Sequence, residues 1–154
     1  MVLLVADPSH AEEIAGWLHL IGFDDVRGWA LAADVLAADG PGGSDHLSLD
    51  AVALDEARRR LAHETPPLLL DVRTAGERLF GIIPGATAVA LNGLDDWARE
   101  HTARDVPVIV HCQSGTRAII GASVLRARGF TNVTPMTGGY EAWTAAGLPV
   151  HTTP

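Results

Sequence analysis

The feature that most constrains the fold of this chain is a buried strand that ends in a short polar loop and runs on into a helix. Three consecutive branched apolar residues at positions 108–110 are typical of a strand buried on both faces. His111 and Cys112 follow, and Cys112 is the only cysteine in the sequence. A loop containing Gly115 then leads into a long apolar stretch with helical character. The sequence therefore predicts a thiol at the point where a strand ends and a helix begins.

A cysteine at such a junction is suited to nucleophilic chemistry. The unpaired N–H groups of the first helical turn and the helix dipole both favour negative charge. The thiolate is the reactive form of cysteine, so this position activates it. Many free cysteines are simply small buried apolar residues, but the polar, glycine-bearing loop favours a reactive one here. We predict that Cys112 is the catalytic nucleophile.

The length of the loop indicates which kind of reaction the cysteine catalyses. Cysteine phosphatases have five residues between the nucleophile and a following arginine, which together bind a phosphate. In this chain four residues separate Cys112 from Arg117: Gln113, Ser114, Gly115 and Thr116. A shorter ring of amides fits something smaller than phosphate, such as one extra sulfur atom on the cysteine. The loop resembles the six-residue active loop of the rhodanese-type sulfurtransferases.

Two further stretches resemble the same family. Asp71-x-Arg73 followed by Glu77 resembles the Asp-x-Arg…Glu stretch that follows an inner rhodanese strand, and Gly138-Gly139 opens a segment similar to the closing Gly-Gly-aromatic-x-Ala-Trp signature. We interpret these five residues as structural supports near the site. Asp71 is expected to cap the next turn and Arg73 to pair with Glu77. The two glycines are expected to allow a close backbone approach to the loop.

The resemblance implies a two-step transfer of sulfur without a metal or other cofactor. Cys112 would take the outer sulfur of a small anionic donor, thiosulfate or a low-molecular-weight persulfide, and pass it to a thiol or cyanide. Loop residues 113–117 would stabilise the thiolate and the persulfide, with hydroxyl donors from Ser114 and Thr116. Arg117 could attract the donor's negative charge or brace the loop by hydrogen bonds. His111 is expected to point away from the thiol, because side chains alternate along a strand.

Two other functions stay open at this level. A cysteine-based phosphatase or arsenate reductase on a related fold is disfavoured by the short loop. A non-catalytic module that binds a partner is disfavoured by the intact cysteine. The sequence does not name the physiological sulfur donor or acceptor.

Strand and helix patterns alternate along the chain, which predicts an α/β fold with a parallel sheet covered by helices on both faces. For residues 46–154 the resemblance implies a rhodanese domain with five strands, with the site at their carboxyl ends. Residues 41–45 are rich in glycine and turn formers and are predicted to be a linker.

Residues 1–40 are predicted to be a partial α/β repeat of the later domain. Gly22-Phe23-x-x-Val26 matches Gly129-Phe130-x-x-Val133, and Asp7 stands where a repeat would place the cysteine. The segment resembles the back half of a degenerate copy, as in tandem rhodaneses or in fusions with a metallo-β-lactamase-fold persulfide dioxygenase. A half domain exposes apolar faces, so we expect a homodimer or a metallo-β-lactamase-fold partner.

Composition excludes some partners and compartments. A net charge of −8 argues against a nucleic-acid surface. No apolar run is long enough for a membrane span, and a single cysteine suits a reducing cytoplasm, where we expect the protein to reside. The seven histidines show no ligand spacing, so no metal site is expected.

Overall fold

The computed structural model of the protein describes residues 2–37 and 49–152. Its internal contacts divide the chain into two compact units, Met1–His46 and Leu47–Pro154. The linker predicted at residues 41–45 lies outside the described residues. Within the described part of the chain, no helix is both long and apolar enough to cross a membrane.

Strands and helices alternate in both units. The smaller unit contains β1 (Val2–Val5), α1 (Ala11–Leu20), β2 (Gly28–Leu31) and α2 (Ala32–Ala37). The larger unit contains α3 (Leu54–Leu61), β3 (Leu68–Asp71), α4 (Ala75–Arg78), β4 (Thr87–Ala88), α5 (Leu94–Glu100), β5 (Val108–His111), α6 (Thr116–Ala127), β6 (Val133–Pro135) and α7 (Gly139–Ala145).

The larger unit is built on a parallel sheet with the strand order β4-β3-β5-β6. A fifth strand is predicted before α3, and its place beside β6 is taken by a single parallel bridge from Val52 to Met136. Hydrogen bonds from Val52 N–H to the Pro135 carbonyl (2.9 Å) and from Thr137 N–H to the Val52 carbonyl (2.9 Å) hold this bridge. The predicted α/β class is confirmed, with four full strands and this bridge in the described residues.

Helices cover both faces of the sheet because the inner strands are apolar on both sides. Leu70 and Val110 pack on one face with buried residues of α5 and α6. Leu69 and Ile109 pack on the other face with residues of α3 and α7. All four side chains are buried, as expected for inner strands of a parallel sheet.

The chain reverses its direction of travel across the sheet between β3 and β5. It passes from β3 to β4 on one side and then returns through α5 to β5 on the other side. Open parallel sheets place their sites outside the carboxyl ends of strands at such a point. Asp71 ends β3 and His111 ends β5, directly opposite one another in the register. The fold therefore places Cys112 at the edge where a site is expected.

The smaller unit is a strand–helix–strand unit with a further short helix. β1 and β2 pair in parallel, from Val2 opposite Gly28 to Val5 opposite Leu31. The alanine-rich sequence of residues 30–38 favours a helix, but Ala30 and Leu31 belong to β2 and α2 begins only at Ala32. Pairing with β1 overrides the helical preference of an alanine-rich stretch.

The match between the two units holds at the strands β1 and β5, where residues 3–5 align with residues 108–110, and at the ends of the helices that follow them. Gly22 and Gly129 both have a left-handed backbone, with φ of 88° and 87°. The N–H of the next phenylalanine turns back to the helix in both, with Phe23 bonding Leu18 (2.9 Å) and Phe130 bonding Leu125 (3.1 Å). This helix ending is common in unrelated proteins.

Beyond those helix ends the predicted alignment is wrong. Val133 begins β6, whereas Val26 precedes β2, which begins at Gly28. Phe130 is buried and Phe23 is 54% exposed. A degenerate repeat therefore stays a prediction, because Phe23 and Val26 do not occupy the same places in their unit as Phe130 and Val133 do in theirs.

The smaller unit leaves large apolar side chains exposed. Leu20 and Ile21 at the end of α1 are 82% and 70% exposed, and Trp17 is 63% exposed. Leu4 of β1 is also exposed. Exposed apolar surface is typical of interaction sites when the side chains lie close together, as neighbouring residues at the end of one helix do.

We predict that a second copy of the chain covers this surface. The wild-type chain should sediment as a dimer, and Leu20→Lys with Ile21→Lys should shift it to the monomer, because two buried ammonium groups oppose association. Sedimentation velocity measures the change. A matched control, Glu12→Lys with Glu13→Lys, changes more charge on the same helix and should leave the dimer intact. A monomeric wild type would contradict the prediction.

Candidate active site

Cys112 lies at the carboxyl end of β5 and is 1% exposed. Its side chain packs in the cluster formed with α5 and α6, beside Val72 and Ala118. The N–H of Gly115 donates a hydrogen bond to Cys112 Sγ at 3.1 Å. Gly115 has φ of 112° and immediately precedes α6. The loop therefore curls around the sulfur so that the helix begins beside it, as the sequence predicts.

Other N–H groups of the loop are available to a ligand. Those of Gln113 and Ser114 donate to no acceptor in the described part of the chain. Those of Thr116 and Arg117 open α6, where helix geometry provides no internal acceptor. Unpaired N–H groups of this kind are a binding site for an anion. Within the described residues the Ser114 and Thr116 side chains are exposed and make no hydrogen bond, so their predicted donor role stays a prediction.

The first turn of α7 holds the loop from behind. The N–H of Tyr140 donates to the Cys112 carbonyl (2.8 Å), and the N–H of Glu141 donates to the Gln113 carbonyl (3.0 Å). The backbone of Gly139 lies so close that a Cβ there would stand 2.3 Å from the Cys112 carbonyl oxygen. Gly138 precedes it, and both have positive φ. The two predicted glycines are thus placed at the close approach to the loop.

Arg117 is held by Glu77 rather than left free. Its two terminal nitrogens donate to the two carboxylate oxygens of Glu77 at 2.8 and 2.5 Å. The hydrogen bonds from Arg117 hold the pKa of Glu77 far below its ordinary value, and the same contact raises the pKa of Arg117. The contact with Glu77 supports the bracing role, but Cys112 also contributes to the raised pKa of Arg117, so both roles stay predictions.

The predicted pairing of Arg73 with Glu77 is wrong. Glu77 forms a capping box with Thr74 at the start of α4: the Thr74 N–H donates to Glu77 Oε2 (2.9 Å), and the Glu77 N–H donates to Thr74 Oγ1 (3.3 Å). The carboxylate therefore points towards Arg117 on α6. The Thr-x-x-Glu spacing of a capping box was present in the sequence and could have indicated this arrangement.

Arg73 instead forms a buried cluster beneath the loop. Its guanidinium donates to both oxygens of Asp71 (3.0 and 2.7 Å) and to the Gly81 carbonyl (2.8 Å), and it lies 3.8 Å from the ring centre of Tyr140. The Asp71 carboxylate also accepts from the Arg73 N–H (3.0 Å), which is the predicted cap of the turn. Burial alone would raise the pKa of Asp71, but the hydrogen bonds from Arg73 keep it below its ordinary value.

His111 belongs to this cluster and not to the thiol. Its Nε2 lies 3.8 Å from Asp71 Oδ2, and its Nδ1 lies 3.4 Å from the Cys112 carbonyl oxygen. Burial lowers the pKa of His111, so the imidazole is neutral at pH 7. The expected orientation of His111 away from the cysteine side chain is what the structure shows. Tyr140 is the aromatic residue of the closing signature, but the sequence did not place its side chain in this cluster.

Comparison with known families assigns the larger unit. Residues 53–146 match the model of the rhodanese-like domain, which is more than half of the chain. The chain belongs to the rhodanese-like domain family. The smaller unit lies outside the matched residues.

Individual relatives and solved structures agree with this family. The chain is 33% identical over 92 residues to a sulfurtransferase of Allochromatium vinosum, covering 60% of this chain and 85% of the relative. It is 34% identical over 85 residues to a thiosulfate sulfurtransferase of Actinobacillus succinogenes, covering 55% and 76%. The solution structure of a rhodanese-like domain from Anabaena matches with 26% identity and a TM-score of 0.62, covering 69% of this chain and 81% of that one.

The ion pair between Glu77 and Arg117 should make stability depend on pH. Because the folded-state pKa of Glu77 is lowered, its contribution is present above the ordinary value of 4.5 and is lost as the pH falls below that value. Glu77→Gln should lower the free energy of unfolding at neutral pH by about 1 kcal/mol or less, since the pair is partly exposed. The difference from wild type should shrink in acid.

Urea unfolding at neutral pH and at about pH 3.5 measures this difference. Glu64→Gln is the matched control, because within the described residues the exposed Glu64 side chain contacts no cation. A Glu77→Gln difference that is unchanged in acid would show that the carboxylate charge is not the source of the effect.

Because the backbone of Gly139 lies so close to the Cys112 carbonyl, we predict that position 139 does not tolerate a side chain. Gly139→Ala should lose roughly 1–3 kcal/mol from overpacking against the Cys112 carbonyl, in addition to about 1 kcal/mol for the left-handed backbone. Gly147 provides a matched control, since it has φ of 67° and an added Cβ would meet nothing within 4 Å. Gly147→Ala should show only the backbone cost. Thermal unfolding of both variants tests this, and equal losses would refute the close approach.

Proposed function

We propose that this chain is a sulfurtransferase that carries sulfur on Cys112 as a persulfide. The observation that carries the proposal is the position of Cys112 Sγ, which accepts from the Gly115 N–H at 3.1 Å inside a loop with further unpaired N–H groups. Such a loop stabilises a small anion on the sulfur. Relatives named sulfurtransferase and thiosulfate sulfurtransferase support the same reaction.

The first half of the reaction moves one sulfur atom to the enzyme. The Cys112 thiolate attacks the outer sulfur of thiosulfate, the sulfur–sulfur bond of the donor breaks, and sulfite leaves with the electron pair. With a low-molecular-weight persulfide the leaving group is the corresponding thiolate. In both cases Cys112 is left as a persulfide anion, and no external oxidant or reductant is needed.

The second half returns the enzyme to its starting state. A thiolate or cyanide attacks the outer sulfur of the Cys112 persulfide, and the cysteine leaves as the thiolate. The loop N–H groups stabilise the negative charge on sulfur before and after the transfer. Cys112 carries one negative charge both as the thiolate and as the persulfide. The same loop N–H groups can therefore stabilise it in both halves of the reaction.

The loop N–H groups, rather than a free cation, are proposed to receive the donor. Arg117 already shares its charge with Glu77 through two hydrogen bonds. Its effect on an incoming anion is therefore reduced, while its effect on loop position is retained. The sulfur is 1% exposed, so a donor must present a slender terminal atom, as the outer sulfur of thiosulfate does.

Sulfur loading is the direct test. Intact-protein mass spectrometry after incubation with thiosulfate or glutathione persulfide should show a gain of one sulfur atom, and cyanide should remove it as thiocyanate. Cys112→Ser should show no gain, because Cys112 is the only thiol.

The competing functions give different results in the same experiment. A phosphatase would hydrolyse p-nitrophenyl phosphate and would not hold sulfur, while a partner-binding module would do neither. Arg117→Lys keeps a positive charge but loses the two-point contact with Glu77. It should reduce the rate of sulfur loading if bracing is the role of Arg117. A wild type that stays free of sulfur with every donor would refute the proposal.

A further inference from the structure

A cavity lies at the opposite end of the sheet from Cys112. Its volume is about 510 Å³, and Pro67, Pro107 and Asn132, which directly precede β3, β5 and β6, form part of its wall. Val108 and Ile109, the first two residues of β5, lie at its base. Ile109 precedes Cys112 by three residues along the extended chain, a span of roughly 10 Å. The cavity therefore does not belong to the site of Cys112.

One wall of the cavity is cationic. Arg59, Arg60 and His63 come from α3 and the turn after it, and they line the cavity together with Glu56. Glu56 accepts from Arg60 Nε at 2.6 Å and also pairs with Arg59. Arg60 reaches across to Thr134 Oγ1 of β6 at 3.5 Å. Arg59 and Arg60 contribute two cations and Glu56 one anion, so this wall has a net positive charge in a chain whose net charge is −8.

Several N–H groups on this cationic wall have no acceptor in the described part of the protein. Arg59 donates through Nη2 only, and Arg60 through Nε and Nη1, so each guanidinium retains N–H groups without an acceptor in the described part of the chain. His63 uses Nδ1 with Thr65 (3.3 Å), which leaves Nε2 free within the described residues. The Asn132 carboxamide makes no hydrogen bond there either. Two guanidinium groups held in place by one carboxylate are organised to receive a second one.

The rest of the lining is mixed. Pro67 and Pro107 contribute apolar surface, and Thr65, Asn132 and Thr134 contribute polar surface. Val108 and Ile109 lie beneath them, each only 1% exposed. A volume of about 510 Å³ lies in the range of small-molecule sites. Charge on one side and apolar surface on the other are complementary to a ligand that has the same two parts.

We propose that this cavity binds a small organic anion, an apolar body that carries one carboxylate-like group. The anionic group pairs with Arg59 and Arg60, and the body lies on Pro67 and Pro107, beside the start of β5. The site is independent of sulfur transfer. Its ligand contacts the amino end of the strand that carries Cys112 at its carboxyl end.

The test separates the two parts of the ligand. Amide spectra of the isotope-labelled full chain are recorded during titration with naphthoate, with naphthylmethanol as the uncharged body, and with acetate as the charge alone. Naphthoate should give saturable shifts at the amides of residues 59–63, 107–109 and 132–134. The other two compounds should bind much more weakly. Naphthoate shifts that are absent from these amides, or equal affinity for naphthylmethanol, would overturn the proposal.

Variants on one helix provide the matched comparison. Arg59→Gln removes an exposed side chain, so the fold should persist, and the affinity for naphthoate should fall roughly fivefold. Arg58→Gln removes the neighbouring charge of the same arginine run, which does not line the cavity, and should change the affinity by less than about twofold. An equal loss in both variants would show that net charge alone attracts the anion, and the proposed site would be wrong.

Discussion

The site depends on one close contact between backbones, that of the α7 first turn with the Cys112 loop. Two N–H groups of α7 bind the carbonyls of Cys112 and Gln113, at 2.8 and 3.0 Å. With their carbonyls held by α7, the peptide groups of the loop are left with N–H groups free to face a ligand. Glycine is required at position 139, where any Cβ would strike a carbonyl oxygen. The geometry that makes the cysteine useful is thus fixed by an element far along the chain.

The buried pair of Asp71 and Arg73 supports this arrangement from below. Burying two charges is costly unless their hydrogen bonds are satisfied. Here the guanidinium donates to both carboxylate oxygens and to the Gly81 carbonyl through Nε and Nη2. Its Nη1 is buried without a hydrogen-bond partner in the described residues, and the group lies against the Tyr140 ring. Tyr140 in turn donates its hydroxyl to the Phe80 carbonyl at 2.9 Å. The cluster connects the end of β3, the segment after α4 and the start of α7, which are the three elements around the loop.

Local sequence patterns predicted the parts of the site that are set by neighbours in the chain. The strand before Cys112, the loop and the helix after it are contiguous, so residues 108–117 contain the information that places them. The partner of Glu77 was predicted wrongly because spacing alone favours Arg73. Asp71 lies two residues from Arg73 and engages its guanidinium, and Glu77 then meets Arg117 across 40 positions of sequence. Tertiary pairing of this kind leaves no periodic signal in the sequence.

In the smaller unit, pairing between distant residues also overrides the secondary structure that the local sequence predicts. Residues 30–38 are rich in alanine and favour a helix locally, yet Ala30 and Leu31 pair with β1. The glycine–phenylalanine match reflects a shared way of ending a helix, and it says nothing about where the next strand begins. A repeat inferred from such a match needs equivalent strands as well, and here the strand starts differ.

The distribution of charge bears on how a chain of net charge −8 would receive the anionic donor of the proposed sulfur transfer. At the Cys112 loop Arg117 is paired with Glu77, so much of the attraction would come from N–H groups that act only over short distances. Such groups would select ligands by size and direct contact rather than by long-range charge. Under this proposal the loop would accept a terminal sulfur atom from thiosulfate or a persulfide alike, because it would interact with the transferred atom and make few demands on the rest of the donor. The choice of donor would then depend on the residues around the loop, where the Gln113 carboxamide donates to the Glu141 carboxylate at 3.3 Å.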